Sequence, residues 1–332
     1  VFKKIKNLET LMKLVQRLLP FLVLGLLCAS AQATPYPTKP LRLVVPFAAG
    51  GNTDIAARLL AQGLSTEFKQ PVYVENKAGA GTAVGTEEVA RSLADGYTLL
   101  FTTVGLAVNP SLYKNLRYDA KRDFSPVAHV VTSSPVILMN PAVPATNLAE
   151  FLQYAKNNGP LAYGSAGVGS AMHLHAEQFR IETGIAVTHI PYRGEGPALV
   201  DLLAGRTQFH FGSIASAAQY IDSGALKALA VVSAKRSPLL PKVPTAIEAG
   251  VLGFVTTTWG VILVPRGTPG EVIDKLNTTI NQVIKIPANF ARFIELGFEP
   301  LANSTPASTA LFIDTETQYW ANLIKKLGIT AE

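Results

Sequence analysis

The stretch Pro46-Phe47-Ala48-Ala49-Gly50-Gly51-Asn52-Thr53-Asp54 has the residue types that meet an anion. Gly50 and Gly51 can take φ > 0 and leave backbone N–H groups bare of side chain. The residues that follow, 55–62, carry apolar side chains at helical spacing, so the glycines fall at a helix N-terminus. There the first N–H groups lack internal partners, and the helix dipole adds partial positive charge. Such a turn can hold a carboxylate or phosphate. The same residues also suit a plain strand-to-helix connection, with Asp54 complementing the dipole. The candidate ligand contacts here are Phe47, Ala48, Ala49, Gly50, Gly51 and Asp54.

A second stretch repeats the arrangement. Tyr163-Gly164-Ser165-Ala166-Gly167-Val168-Gly169-Ser170 leads into the helical pattern Ala171-Met172-His173-Leu174. Its candidates are Ser165, Ala166, Gly167, Gly169, Ser170 and His173, with His173 placed to orient the loop. A third loop, Pro191-Tyr192-Arg193-Gly194-Glu195-Gly196, again lies between strand and helix. Tyr192 offers an aromatic wall and a hydroxyl, Arg193 a bidentate partner for a carboxylate, and Gly194 a bare backbone. The plainer reading is a solvated turn with a local Arg193–Glu195 pair. Thr103 and Gly105, after the strand of residues 97–102, and Ser213, after the strand of residues 209–212, complete the candidates.

Other chemistries fail on spacing. A nucleophile elbow needs glycine two before and two after its serine, and Ser165 has Tyr163 at the first of these positions. Gly79-x-Gly81-x-x-x-Gly85 misses the dinucleotide pattern by one, and no phosphate-loop Gly-Lys-Ser/Thr occurs. His173-x-His175-x-Glu177 resembles a metal motif, but residues two apart on a helix point apart, so no metal is expected. No cofactor is expected either.

The elements that must position these loops alternate. Strands at residues 41–45, 72–75 and 97–102 are separated by helices at about 53–68 and through Val84, Val89 and Leu93. That βαβαβ order implies a parallel sheet with ligands beyond the carboxyl ends of its strands. Pro110, Pro126 and Pro135 break the alternation, and residues 132–135 read as a crossing between two units. A second unit follows, with strands at 161–163, 187–190, 209–212 and 228–232 and helices at 148–155, 171–182, 197–203 and 215–221. Residues 259–264 read as a strand returning to the first unit. Thr268-Pro269-Gly270-Glu271 starts one further helix, with Thr268 as its cap, and Thr305-Pro306 starts the last.

Composition narrows the class. Lys13 and Arg17, the apolar run 18–27 and Ala31-Gln32-Ala33 form a secretory signal, with cleavage expected after Ala33. Met12 begins a better-shaped signal than Val1 does. Cys28 is the one cysteine, and Leu27 before it is bulky where a lipoprotein site needs a small residue. Residues 34–332 therefore contain no cysteine, and a chain this long buries enough core without disulfides. The formal net charge of +6 falls to +2 once residues 1–33 are set aside, and no basic cluster is interleaved with aromatics. Nothing points to nucleic acid.

Taken together, the motifs resemble the solute-binding receptors of tripartite tricarboxylate transporters, the Bug family. The resemblance runs from about Tyr36 to Glu332. It rests on Pro46-Phe47-x-Ala49-Gly50-Gly51-x-x-Asp54, Val74-Glu75-Asn76-Lys77-x-Gly79-Ala80-Gly81, Asp95-Gly96-Tyr97-Thr98-Leu99-Leu100 and Asn109-Pro110-x-Leu112-Tyr113. In the second half it rests on Tyr163-Gly164-Ser165-x-Gly167-x-Gly169-Ser170-x-x-His173-Leu174, Pro191-Tyr192-Arg193-Gly194, Asp201-Leu202-Leu203-Ala204-Gly205 and Leu240-Pro241-x-Val243-Pro244-Thr245. The resemblance implies an α/β fold of the type II periplasmic-binding-protein class, a Venus flytrap of two α/β lobes joined by extended hinge segments. Residues 34–133 and 259–332 would form lobe 1, and 134–258 lobe 2. It implies no enzyme but a monomeric periplasmic receptor that takes a small organic carboxylate to inner-membrane transporter subunits. Leu106 and Val108 stand where many members are polar, which suggests a ligand with an apolar body. The alternatives are a secreted α/β hydrolase using Ser165 or Ser170 with His173, and a receptor presenting its ligand to a sensor.

Overall fold

Leu41–Val45 (β1) is a short apolar run, and every side chain in it except Arg42 is buried. It forms the centre of a parallel layer. Val72–Asn76 (β2) pairs with it from Leu41↔Val72 to Val45↔Asn76, and Thr98–Thr102 (β3) pairs on its other side. The helix between β1 and β2, Asn52–Phe68 (α1), buries Ala56, Ala57, Leu60, Ala61, Leu64 and Phe68, one stripe at helical spacing. The structure is a computed structural model and describes residues 36–328. The expected signal segment, residues 1–33, lies outside the described residues.

After β3 the chain forms Gly105–Leu112 (α3), with Pro110 inside it. Phe124–Ser133 (β4) follows, then Pro135–Met139 (β5) in a different sheet, so one residue, Ser134, separates strands of two sheets. The second sheet has the order β7-β6-β8-β5-β9, built from β5, Leu161–Ser165 (β6), Val187–Pro191 (β7), Phe209–Ser213 (β8) and Lys227–Val231 (β9). Leu148–Asn157 (α4) precedes β6, Ala171–Thr183 (α5) lies between β6 and β7, Glu195–Leu203 (α6) between β7 and β8, and Ile214–Asp222 (α7) between β8 and β9. Thr258–Pro265 (β10) returns to the first sheet and inserts antiparallel between β3 and β4. Gly270–Lys285 (α8), Pro287–Glu295 (α9), the short Glu299–Pro300 (β11) and Pro306–Leu327 (α10) complete the described chain. The first sheet then reads β11-β4-β10-β3-β1-β2.

Each sheet has its own core. Phe151, Tyr163, Phe179, Phe209, Phe211 and Phe254 fill the second, mostly edge to face. Around the first, Trp259 of β10 and Trp320 of α10 both donate their indole N–H to Glu316, at 2.7 and 3.0 Å, which fixes the last helix to the returning strand. Ala171 and Leu174 at the start of α5 belong to this same cluster, so the second sheet's helix packs into the first sheet's core.

Four local expectations change. The helix after the second glycine turn is only Ala83–Ala90 (α2), and Leu93 beyond it is exposed. Residues 105–112, where Pro110 was expected to break the alternation, are helical, with Leu106, Ala107 and Val108 fully buried in the core. An unbroken apolar run has no polar contrast to show its period. Leu106 and Val108 therefore say nothing about a ligand. Thr268 does not cap α8: its hydroxyl donates to Pro265 O, and the cap position is Pro269. By contrast, the caps Asn147, Ser170 and Thr305 accept from the N–H three residues on.

Candidate ligand-binding site

The turn between β1 and α1 is held from within. Gly50 sits at φ +87, a conformation that suits glycine, and its N–H donates to Asp54 Oδ2 at 3.0 Å. Arg58 Nε donates to the same oxygen, and Asn76 Nδ2 donates to Oδ1. Burial works to raise the Asp54 carboxyl, but Arg58, Gly50 and Asn76 hold it below the usual carboxylate range. Both Asp54 carboxylate oxygens are thus hydrogen-bonded within the turn. Gly51 has the ordinary extended angles φ −87 and ψ 172.

The N-terminus of α1 already holds an anion, and it comes from the third loop. Asn52 N donates to Glu195 Oε2 at 3.1 Å. The same carboxylate accepts from Ser213 N at 2.8 Å and from Ser216 Oγ at 2.9 Å, at the start of α7. His210 Nε2 lies 3.7 Å away. Glu195 is only 2% exposed. Burial works to raise its carboxyl, yet His210, the Ser213 N–H and the Ser216 hydroxyl more than reverse this, and it stays ionised. The expected Arg193–Glu195 pair does not form. A carboxylate two residues from an exposed arginine finds stronger partners in two helix N-termini.

The third loop also meets the first turn through backbone. Ala48 N donates to Arg193 O at 3.2 Å. Gly194 has φ +135, and a Cβ there would lie 3.0 Å from Ala48 Cβ, so the close approach requires glycine. Tyr192 does not offer its hydroxyl: it donates to Asp201. Burial and the Asp201 carboxylate push that hydroxyl up to about 12, so it remains a donor. The Arg193 side chain is exposed and forms no ion pair with any described residue.

In the β6–α5 loop the hydroxyls turn inward. Ser165 is fully buried, lies 2.6 Å from His189 Nε2 and accepts from Gly167 N. Ser170 Oγ donates to Gly167 O at 2.7 Å. Gly169 N donates to His173 Nδ1 at 3.2 Å, so His173 does orient the loop and is a neutral ring protonated on Nε2. Burial lowers His173 to about 4. His173 stacks on His189 at 4.1 Å, while His175 points away to Phe211. A serine this deep cannot meet a substrate, and its histidine partner is His189 rather than His173. Among the described residues no cluster of His, Cys, Asp or Glu could hold a metal.

Two cavities remain between the loops, and they share Phe47 and Ala166. The inner one is lined by Gly51, Asn52 and Thr53 of the first turn, by Thr103, by Ala171 and Met172 of α5, by Phe211, Gly212 and Ser213 of β8, by the crossing residues Ser133, Pro135 and Thr258, and by Glu195. The outer one is lined by residues 78–82, Val84, Tyr113, Gly167, Val168, Tyr192 and Arg193. Its rim carries strained backbone, with Ala80 at φ 44 and Thr82 at φ 83. Of the residues expected from sequence, Phe47, Gly51, Thr103, Ala166, Gly167, Tyr192, Arg193 and Ser213 line a cavity. Ala48, Ala49, Gly50, Asp54, Gly105, Ser165, Gly169, Ser170, His173 and Gly194 line neither of these two and shape the loops behind them. Glu195, Met172, Thr53, Ser133 and Thr258 also line the inner cavity and were not among the residues expected from sequence. Thr53 and Met172 follow from helix N-terminal position, whereas Ser133 and Thr258 come together only where the chain crosses between sheets.

A family model described as tripartite tricarboxylate transporter family receptor matches residues 56–329. The chain belongs to this receptor family. Protein BugT of Bordetella pertussis (strain Tohama I) is 38% identical over 311 residues, 93% of this chain and 95% of the relative. The solved structure of the periplasmic binding protein BugD superposes with a TM-score of 0.86 at 37% identity, over 90% of this chain and all of that one. An R. palustris protein, Rpa4515, solved with adipate, gives 0.86 at 34% identity, over 89% of this chain and 99% of that one. As a member of the tripartite tricarboxylate transporter receptors, the chain has the two-lobed, type II periplasmic-binding-protein fold. These family members are solute-binding proteins, not enzymes.

Proposed function

We propose that the chain is an exported periplasmic receptor that closes its two lobes over a small organic carboxylate and delivers it to inner-membrane transporter subunits. Lobe 1 is residues 34–133 with 259–332, and lobe 2 is residues 134–258. The observation that carries this reading is the inner cavity. It lies between the loops of both sheets and is walled by the N-termini of α1, α5 and α7, and no Lys or Arg lines it. Asn52 N and Ser213 N there are taken by Glu195, so the N–H groups left to favour an anion are those of Thr53, Ala171 and Met172, with a free helix end contributing about 0.3–1 kcal/mol and each charge-assisted hydrogen bond about 1.5–3 kcal/mol. A few of these reach the roughly −8 kcal/mol of a micromolar complex. Adipate, the ligand solved with the R. palustris relative, supports the class. Mass spectrometry of small molecules released from freshly purified periplasmic protein should show a stoichiometric organic carboxylate. Release of an uncharged ligand, or of a metal-bound one, would contradict the reading.

A further inference from the structure

Among the described residues, two hydrogen bonds tie the turn before α1 to the loop before α6, and so the first sheet to the second. Ala48 N donates to Arg193 O at 3.2 Å, and Asn52 N donates to Glu195 Oε2 at 3.1 Å. The second differs in kind, because its acceptor is an ionised carboxylate at a helix N-terminus. Glu195 is also held from its own sheet. Ser213 N donates to Oε1 at 2.8 Å, and Ser216 Oγ donates to Oε2 at 2.9 Å. Ser213 Oγ donates in turn to Ser216 Oγ. The second sheet therefore presents an oriented carboxylate, and the first sheet completes it with one N–H. The two segments approach closely. A Cβ on Gly51 would stand 3.4 Å from Glu195 Cβ and 3.6 Å from Glu195 N. Burial opposes the charge here, and the donors outweigh it, so the joined arrangement favours the ionised form.

We propose that Glu195 is an interlobe latch: the Asn52–Glu195 bond breaks when the lobes hinge apart, and it biases the receptor toward the closed arrangement before a ligand arrives. The proposal rests on the two-lobed receptor reading above. Opening would leave Ser213 and Ser216 on the carboxylate and give up only Asn52 N. One charge-assisted hydrogen bond of this kind shifts such an equilibrium on the order of 10- to 100-fold. A ligand held between the lobes binds the closed arrangement, so its apparent affinity rises with the closed fraction.

The first sheet's half of the latch can be removed without touching Glu195. Asn52 is the first residue of α1, a position that tolerates proline, and Gly51 before it has the extended angles φ −87 and ψ 172 that a residue before proline prefers. Asn52→Pro deletes the N–H. It also loses the side-chain bond from Asn52 Nδ2 to Ser133 Oγ, and Asn52→Ala loses that bond alone. Glu195→Gln removes the charge from the other half. Gly51→Leu is an uncharged wedge, since its side chain must enter the space beside Glu195.

The measurement is the distance between spin labels on Glu67→Cys and Lys156→Cys, exposed helix positions on the two lobes, by double electron–electron resonance. Residues 34–332 hold no cysteine of their own, so the processed protein takes labels only there. Each variant is read as purified and after unfolding and refolding to strip small molecules. Stripped wild type should keep mainly the distance of the protein as purified. Asn52→Pro and Glu195→Gln should each lower the ratio of that distance to a second, open one by at least about tenfold, and Asn52→Ala should not. A stripped wild type that is mainly open overturns the latch, and so does an effect of Asn52→Ala equal to that of Asn52→Pro. If Gly51→Leu separates the labels while folded Asn52→Pro and Glu195→Gln do not, the latch falls and the hinged receptor stands. If neither stripping nor any variant changes the distance, the lobes do not hinge, and the closure reading falls with the latch. If Glu195→Gln does not fold, Asn52→Pro decides alone.

Discussion

Glu195 changes what the first glycine turn can do. From sequence, Gly50 and Gly51 offered an empty place for an anion, and Glu195 belonged to a solvated turn beside Arg193. In the fold the two meet, across 143 positions of chain. Its partners Ser213 and Ser216 are 18 and 21 positions away, so no local pattern could have joined them. The histidines are set chiefly by burial. Burial lowers His129 and His173 to about 4 and His175 and His189 to about 3. In the unfolded chain these rings titrate near 6.5. Between that value and the folded ones, the unfolded state binds protons that the folded state refuses. The stability they confer is therefore complete above about pH 6.5 and is lost as pH falls toward 4, by up to about 1.4 kcal/mol per pH unit for each ring. Asp54 and Glu195, both held low, add loss in the same direction at lower pH. The urea midpoint should drop clearly from pH 7.5 to pH 5. A midpoint that holds or rises would show that these rings are not buried neutral.

At the scale of elements, the strand–turn–helix units were readable because β1, β2 and β3 are short apolar runs and α1 has a regular buried stripe. The helix start at Thr305 was readable from Thr305-Pro306, whereas Ser170, expected as a ligand contact, is the cap of α5. The helix α3 was not readable, since Leu106, Ala107 and Val108 form an unbroken buried run with no helical period and the segment contains Pro110. The N-terminus of α1 gives a direct test. Gly51 has extended angles open to any residue, and a Cβ there would lie 3.4 Å from Glu195 Cβ. Gly51→Asp should fold, place a second negative charge beside Glu195 and inside the cavity, and weaken binding of the retained carboxylate by about 100-fold or more in calorimetry. Gln62→Asp, exposed on the same helix, should leave affinity unchanged. Gly63 cannot serve as the control, because a Cβ there would sit 2.3 Å from Val283 Cγ1. Wild-type affinity in a folded Gly51→Asp would mean that the turn is only a connection.

At the scale of the molecule, the alternation of strands and helices disclosed two α/β units, and the family motifs disclosed their class. Sequence could not show how the loops of the two sheets meet. The meeting of these loops depends on contacts between distant segments: Ala48 N to Arg193 O, Asn52 N to Glu195, and Ala171 and Leu174 packed with the core of the first sheet. Those contacts bring three separate loops around one cavity. A crystal structure of the protein carrying the carboxylate it retains through purification should place that carboxylate between the two sheets, within hydrogen-bonding distance of the Ala171 and Met172 N–H groups, with Glu195 still on Asn52 and Ser213. A carboxylate found instead on the Arg193 guanidinium at the mouth, or outside the cleft, would contradict it.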